Sequence, residues 1–338
     1  DILEEVKNVN IGNEMAVTIS MGVGLGGLTY LQNYEFARTA IDLALGRGGD
    51  QAVVKTTDQV TYYGGKSQQV EKNTRVKARV KAQAFKELVT NKDNVIIMGH
   101  KRPDADAFGA AVGVYRLVKT LGKEAHIVIN EVTSAIRPVI NGFKGNSVYG
   151  DDMIFTSEEA INSVNANTLV VVVDVNKPSM TECEELLSLA KSVVVFDHHR
   201  QSNDMIENTV LSYIEPYASS ACEMVAEVLQ YITDDVKISN IEANSMYAGI
   251  MIDTNNFVSR TGVRTFEAAA FLRRCGADIT YVRKVFRDDL DWYREKAKIV
   301  SSAEIYHQEY AIARFENETI DSPTIIGAQA ANELLNIN

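Results

Sequence analysis

The chain has 338 residues, 46% of them apolar, which is room for two or three domains with a real core. Its 34 Lys and Arg are outweighed by 45 Asp and Glu, and the net charge of −11 argues against tight binding of long nucleic acids, whose affinity comes from neutralising phosphates. The three cysteines, Cys183, Cys222 and Cys275, are widely spaced and form no CxxC pattern, so they read as thiols in a reducing compartment, not as a disulfide framework or a zinc site.

No apolar run approaches the roughly 20 residues needed to cross a bilayer, and no signal peptide is visible, so this chain itself reads as soluble. It begins "DILEEVKNVN" without an initiator Met, which is expected of a fragment or a processed form. The first elements follow quickly. "MAVTISMG" (15–22) has strand density and runs into "GVGLGG", which lacks the Lys-Ser/Thr of a P-loop and the full GxGxxG context. "YEFARTAIDLALGRG" (34–48) predicts an amphipathic helix stopped by glycine, and "QAVVKT" with "VTYYGG" predicts a hairpin. This small α/β module ends near Gly65. Residues 67–91 contain no Gly or Pro and place Val70, Val76, Val80, Ala84 and Leu88 near helical spacing. A solvated connecting helix is expected, because a basic nucleic-acid arm would interleave aromatic residues.

From Asn94 onward strands and helices alternate. "VIIMGH" (95–100) precedes the helix "AFGAAVGVYRLVKTLG" (107–122), and "EAHIVIN" (124–130) is the next strand. "TLVVVVDV" (168–175) is the continuous apolar run of a strand covered on both faces. "ECEELLSLAKS" is its expected crossover helix and "VVVFDHH" (193–199) the following strand. The alternation predicts an α/β fold with a doubly wound, mainly parallel sheet. Helices dominate from Cys222 to about Val300. The end reads as one or two strands and a single helix, too short for a complete domain.

Chemistry-bearing residues fall where such a sheet opens its crevice, at the carboxyl ends of the strands. His100 ends one strand, with Asp104 and Asp106 in the loop that opens the next helix. Asp174 ends "LVVVVD"; Asp197, His198 and His199 end "VVVF"; Asp253 closes the helical run "YAGIMID". A single Asp after a strand is most often a helix cap. Several carboxylates converging on one crevice would repel each other without cations. Oxygen and imidazole donors without thiolates suit Mn²⁺, Mg²⁺ or Fe²⁺. An Asp at the centre of the sheet can bridge two cations about 4 Å apart, the arrangement that clamps an in-line phosphoryl displacement.

"GHKRPDADAFGAA", "VVVVDV", "FDHH" and "GIMIDTNNF" resemble, in order, the four motifs of the DHH phosphoesterase superfamily. The wording "NVIIMGHKRPDADAFGAA" and "AGIMIDTNNF" is most similar to cyclic di-AMP phosphodiesterases of the GdpP type, and residues 15–63 resemble part of the degenerate GGDEF domain that precedes the DHH domain there. The "GGD" at 48–50 follows the helix and is not a cyclase signature. The resemblance implies four regions: residues 1–65, the C-terminal part of a degenerate GGDEF-like domain; 66–92, a linker helix; 93–290, the DHH domain; and 291–338, the start of a DHH-associated α/β domain.

It implies one metal held by His100, Asp104 and Asp174 and another by Asp106, Asp174, His198 and Asp253, with Asp174 bridging. Asp197 would orient its neighbours, and His199 would contact the scissile phosphate. The implied activity is hydrolysis of a small cyclic dinucleotide, cyclic di-AMP, to pApA by a hydroxide activated between two Mn²⁺ ions, with Mg²⁺ or Fe²⁺ as substitutes. An oligoribonuclease or 3′-phosphoadenosine phosphatase with the same centre is the alternative, and an inactive nucleotide-binding fragment is another. The resemblance leaves a homodimer open and implies cytoplasmic domains of a membrane-anchored bacterial protein, whose membrane spans, PAS sensor and glycine-rich GGGH segment lie outside this sequence.

Overall fold

After its first residue the strand Thr168–Val173 is apolar on both faces and so needs cover on both, and it is buried along its whole length. The computed structural model describes all residues except 1, 8, 10–16, 47–48, 58, 65–67, 201–203, 208, 233–235, 288–289, 308–309, 315–322 and 336–338. The described residues fall into two compact units, Asp1–Ile279 and Thr280–Asn338.

The first unit opens with α1 (Ile2–Lys7), β1 (Met21–Gly24), α2 (Tyr30–Gly46), β2 (Gln51–Lys55) and β3 (Val60–Gly64). β1 pairs in parallel with β2, and β2 with β3 forms the expected antiparallel hairpin. Ala40 and Ala44 of α2 pack on Val53. The strand expected over 15–22 lies further along. Residues 15–16 are outside the described residues, 17–20 belong to no regular element, and β1 runs through the glycines instead. Close packing explains the shift: a Cβ on Gly22 would sit 2.3 Å from Ala37 O of α2. The glycine stretch serves helix–sheet contact.

After α3 (Gln68–Thr90) come β4 (Asn94–Met98), α4 (Ala105–Thr120), β5 (Glu124–Val128), α5 (Arg137–Ile140), β6 (Ile154–Phe155) and α6 (Ser157–Ser163). β7 (Thr168–Val173), α7 (Glu185–Leu189), β8 (Val193–Asp197) and β9 (Leu211–Ile214) follow, then α8 (Ala221–Ile232), α9 (Asn240–Asp253) and α10 (Val263–Arg274). Six strands form one all-parallel sheet in the order β6-β5-β4-β7-β8-β9. The crossover helix expected over "ECEELLSLAKS" shortens to the five residues of α7. Chain order reverses between β4 and β7, so the crevice of this sheet opens beyond the ends of those two strands.

α3 is not the solvated connector its composition suggests. Val76 and Val80 are exposed, while Ala78, Ala82, Phe85 and Val89 are fully buried. Phe85 meets Phe196 of β8 edge-to-face with centroids 5.1 Å apart, and Lys86 Nζ donates to Ile232 O at the end of α8 at 3.0 Å. Lys77 pairs with Glu215 at 3.4 Å and lies over the Tyr213 ring. The valines marked one face and the alanines, small enough for close approach, carried the other.

The second unit continues from α11 (Ile279–Val285) with α12 (Leu290–Ser301), an antiparallel pair β10 (Glu304–Tyr306) and β11 (Tyr310–Ile312), and α13 (Pro323–Leu334). Ile299, Ile326 and Ala330 make its small core, and Trp292 Nε1 donates to Gln329 Oε1 at 2.7 Å.

Candidate metal centre

His100 lies two residues past β4 and Asp174 directly follows β7, so the pair flanks the point where strand order reverses. The loop after β7 clamps His100 in place: Lys101 N donates to Met180 O at 2.7 Å and Glu182 N to Gly99 O at 2.9 Å. His100 Nδ1 lies 2.9 Å from Lys101 O, a contact that puts the ring proton on Nδ1 and frees Nε2. Nε2 then sits 3.5 Å from Asp104 Oδ2 and 3.6 Å from Asp174 Oδ2. Asp104 is both cap and site residue. Its Oδ1 accepts the N–H groups of Asp106 and Ala107, both at 3.0 Å, to start α4, while Oδ2 faces His100.

The other oxygen of Asp174 faces a second group. Asp174 Oδ1 lies 3.2 Å from His198 Nε2, which is also 3.7 Å from Asp106 Oδ2 and 3.5 Å from Asp253 Oδ2. Asp106 is fully buried on α4 and is held by the N-terminus of α8: Ala221 N donates to Oδ2 at 2.6 Å and Cys222 N to Oδ1 at 2.9 Å. α9 passes close enough that a Cβ on Gly249 would stand 2.9 Å from Asp106 Oδ1. One turn later α9 ends on Asp253. Asp174 adopts φ 60°, the left-handed region that Asp tolerates better than most residues.

All eight residues singled out from the sequence, His100, Asp104, Asp106, Asp174, Asp197, His198, His199 and Asp253, meet at this crevice. Three overlapping sets have donor atoms within 4.8 Å of one another: His100, Asp104 and Asp174; Asp106, His198 and Asp253; and Asp174, His198 and His199. The third set would make His199 a ligand, but its Nδ1 is already 2.8 Å from Asp197 Oδ1, and the ring is 56% exposed. His199 Nδ1 also lies 3.7 Å from Asp174 Oδ1, so the ring stands at the edge of the cluster.

The donors fit divalent cations. Asp174 Oδ1 and His198 Nε2 are buried and neither makes a hydrogen bond, an arrangement that costs stability unless something else satisfies them. Burial pushes the Asp106 carboxyl well above the usual range, and Asp174 and Asp253 push it further. Burial, then Asp104 and Asp174, raise Asp253 to about 6. Burial would lower the histidines, yet the carboxylates overcome it: Asp104 and Asp174 raise His100 to about 11, and Asp174, Asp106 and Asp253 raise His198 to about 9. Without cations the cluster holds protons in their place. The nearby Cys222 thiol is engaged elsewhere, lying 3.4 Å from Asp106 O, and burial keeps it protonated. Oxygen and imidazole donors of this kind suit Mn²⁺, Mg²⁺ or Fe²⁺.

Two contributors were not singled out from the sequence. The start of α8 had a readable signal, since Ser220 and Glu223 in "SSACE" make an S-x-x-E helix start, with Glu223 N donating to Ser220 Oγ at 3.0 Å. Asn176 had none; its Nδ2 donates to Asp197 Oδ2 at 2.5 Å across 21 residues.

Residues 94–250 match the family model described as "DHH family, N-terminal domain", and residues 1–62 match "Cyclic-di-AMP phosphodiesterase GdpP-like, GGDEF domain". Over 341 aligned residues the chain is 42% identical to a curated protein of Bacillus subtilis (strain 168) named "Cyclic-di-AMP phosphodiesterase GdpP", covering 100% of this chain and 52% of that protein. It thus spans about half the length of that relative. It is 31% identical over 193 residues, 56% of each chain, to the "Bifunctional oligoribonuclease and PAP phosphatase NrnA" of Mycoplasma genitalium. Among solved structures, an exopolyphosphatase-related protein from Bacteroides fragilis superposes with a TM-score of 0.57 at 19% identity, covering 67% of this chain and 66% of that one, a likeness of fold.

Proposed function

We propose, from the match of residues 94–250 to the DHH family model and of residues 1–62 to the GdpP-like GGDEF model, that this chain carries a metal-dependent phosphodiesterase that opens cyclic di-AMP to linear pApA. In this reading residues 93–290 are the catalytic domain, 1–65 a degenerate GGDEF remnant, 66–92 its connecting helix, and 291–338 the start of the DHH-associated domain. One observation carries it. The two oxygens of Asp174 face two separate donor sets, one toward His100 and one toward His198.

His100, Asp104 and Asp174 Oδ2 would hold one Mn²⁺, and Asp106, His198, Asp253 and Asp174 Oδ1 a second. A cation pair so held supplies a water of lowered pKa and offsets charge on the phosphoryl oxygens. The chain's own groups do the rest. The first N–H groups of α8 hold Asp106 in position, and the β7 loop fixes the His100 ring. Asp197 holds His199 through Nδ1, leaving Nε2 toward solvent, where it meets a non-bridging oxygen of the phosphodiester. In a chain of net charge −11, a polyanionic substrate depends on cations at the site to be received.

The NrnA relative supports a second reading, cleavage of short linear oligoribonucleotides or of 3′-phosphoadenosine. That match covers 56% of this chain, whereas the GdpP relative matches throughout, GGDEF segment included, which favours the cyclic substrate. The deciding assay incubates the chain with Mn²⁺ and with cyclic di-AMP, pApA or 3′-phosphoadenosine, and follows the products by chromatography. Release of pApA from cyclic di-AMP, abolished by a chelator, is expected. Preferential cleavage of pApA or 3′-phosphoadenosine would favour the second reading.

A further inference from the structure

We propose that Asn176 is a positioning residue for His199, acting through Asp197; the claim rests on the reading of His199 as the group that meets the phosphodiester. Asp197 is completely buried and Asn176 is 4% exposed. Asn176 Nδ2 donates to Asp197 Oδ2 at 2.5 Å and reaches His199 O at 3.4 Å. On its other side the carboxylate accepts from His199, at 3.2 Å from the backbone N and 2.8 Å from Nδ1, both on Oδ1. Asn176 is itself anchored, since its carbonyl takes the N–H of Ile206 at 2.8 Å.

The torsion that turns a carboxylate about its own axis is soft, with broad wells and no strong rotamer. A donor on one oxygen therefore decides where the other oxygen points. With Oδ2 pinned by Asn176, Oδ1 faces His199 and draws the ring proton to Nδ1. The outward nitrogen is then Nε2, and the ring plane is set by a chain of two hydrogen bonds that begins on the loop after β7. An amide suits this position because it supplies a donor without a charge. An Asp here would set a second carboxylate against the first, and an apolar residue would leave Oδ2 buried without a partner.

Among the described residues, the Asn176 side chain hydrogen-bonds to Asp197 and His199 O and to none of the six side chains assigned to the cations, so its removal separates the two functions of the site. In the metal-free chain, the Nδ1 proton held between His199 and the buried Asp197 carboxylate at 2.8 Å should give a low-field proton resonance at low temperature, identified by its disappearance in His199→Ala. We expect Asn176→Ala to lose or broaden that resonance and to melt lower than the parent, because Asp197 Oδ2 loses its buried partner, while the two-Mn²⁺ stoichiometry stays as in the parent. With Mn²⁺ bound, kcat should fall about tenfold with little change in KM, the size expected for one hydrogen bond next to a charged group. In a His199→Ala background the same substitution should cost less than about twofold, because its route to the substrate is already gone.

A resonance that persists unchanged in Asn176→Ala overturns the proposal, as does a full multiplicative loss in the double variant or loss of bound metal. If Asn176→Ala does not fold, Asn176→Ser, which keeps a hydroxyl donor of shorter reach, is read by the same resonance and the same criteria. The resonance needs neither metal nor substrate. It therefore decides the positioning role even if the chain proves not to cleave cyclic di-AMP.

Discussion

Asp174 serves two neighbours with one side chain, and its left-handed backbone, φ 60°, turns it to do so. Asp174→Ala removes an oxygen from both donor sets, so turnover should vanish and elemental analysis should find fewer than two Mn²⁺ per chain. His199→Ala should retain both cations and slow turnover on the order of a hundredfold, the usual effect of losing one donor to a charged reacting group. Two tightly held cations in Asp174→Ala would refute the bridging role. The protons of the cluster give a second test. Free of metal at pH 7, His100 and His198 are protonated, with values of about 11 and about 9, and Asp253, at about 6, is partly so. An imidazole must give up its proton to bind a cation, so affinity rises with pH through this range and falls on acidification. Calorimetry in buffers of different ionisation enthalpy should detect release of about one proton for each of the two imidazoles. No release at all would show that these rings are not ligands.

Strand ends and helices share the spacing of the centre, and the helices were the harder part to read. β4, β7 and β8 announce themselves through unbroken apolar runs, and each carries its functional residue at or just past its end, so strand and site were legible together. α3 was legible as a helix but not in its facing: Val76 and Val80 look like a core stripe, while the buried stripe is Ala78, Ala82, Phe85 and Val89. β1 was displaced because its glycines serve contact with α2 and carry no β propensity. Asn176 could not be found, since its partner lies 21 residues away and no spacing rule joins them. Gly249 shows the same limit, being an ordinary residue of α9 until the neighbouring Asp106 is in view. Gly249→Ala should force α9 away from Asp106 and Cys222, at a cost of about 1–3 kcal/mol in urea unfolding, and should weaken Mn²⁺ binding at the His198 group. Unchanged stability and unchanged metal titration would mean that α9 can shift without disturbing Asp106.

At the scale of the whole molecule, the family match begins at residue 94 but the packed unit begins earlier, because α3 covers Phe196 and Tyr213 beside the DHH segment. A chain starting at residue 66 should bind Mn²⁺ and melt close to the parent. A chain starting at residue 94 loses Phe85 and Val89 from the core and should melt lower by roughly 10 °C, or precipitate, given a few kcal/mol for a buried aromatic and its neighbours. Equal melting of the two would reduce α3 to a tether.

The ends of α8 have a consequence of another kind. A helix is a row of aligned peptide dipoles, positive at its start and negative at its end. Here the positive pole rests on the Asp106 carboxylate and the negative pole on the Lys86 ammonium. The two charges lie on successive helices, Lys86 on the connecting helix α3 and Asp106 on α4. α8 is thus terminated electrically at both poles. It cannot slide by a turn or swap direction without withdrawing its N–H donors from Asp106 and its last carbonyl from Lys86, so its polarity supports the centre's geometry alongside its packing.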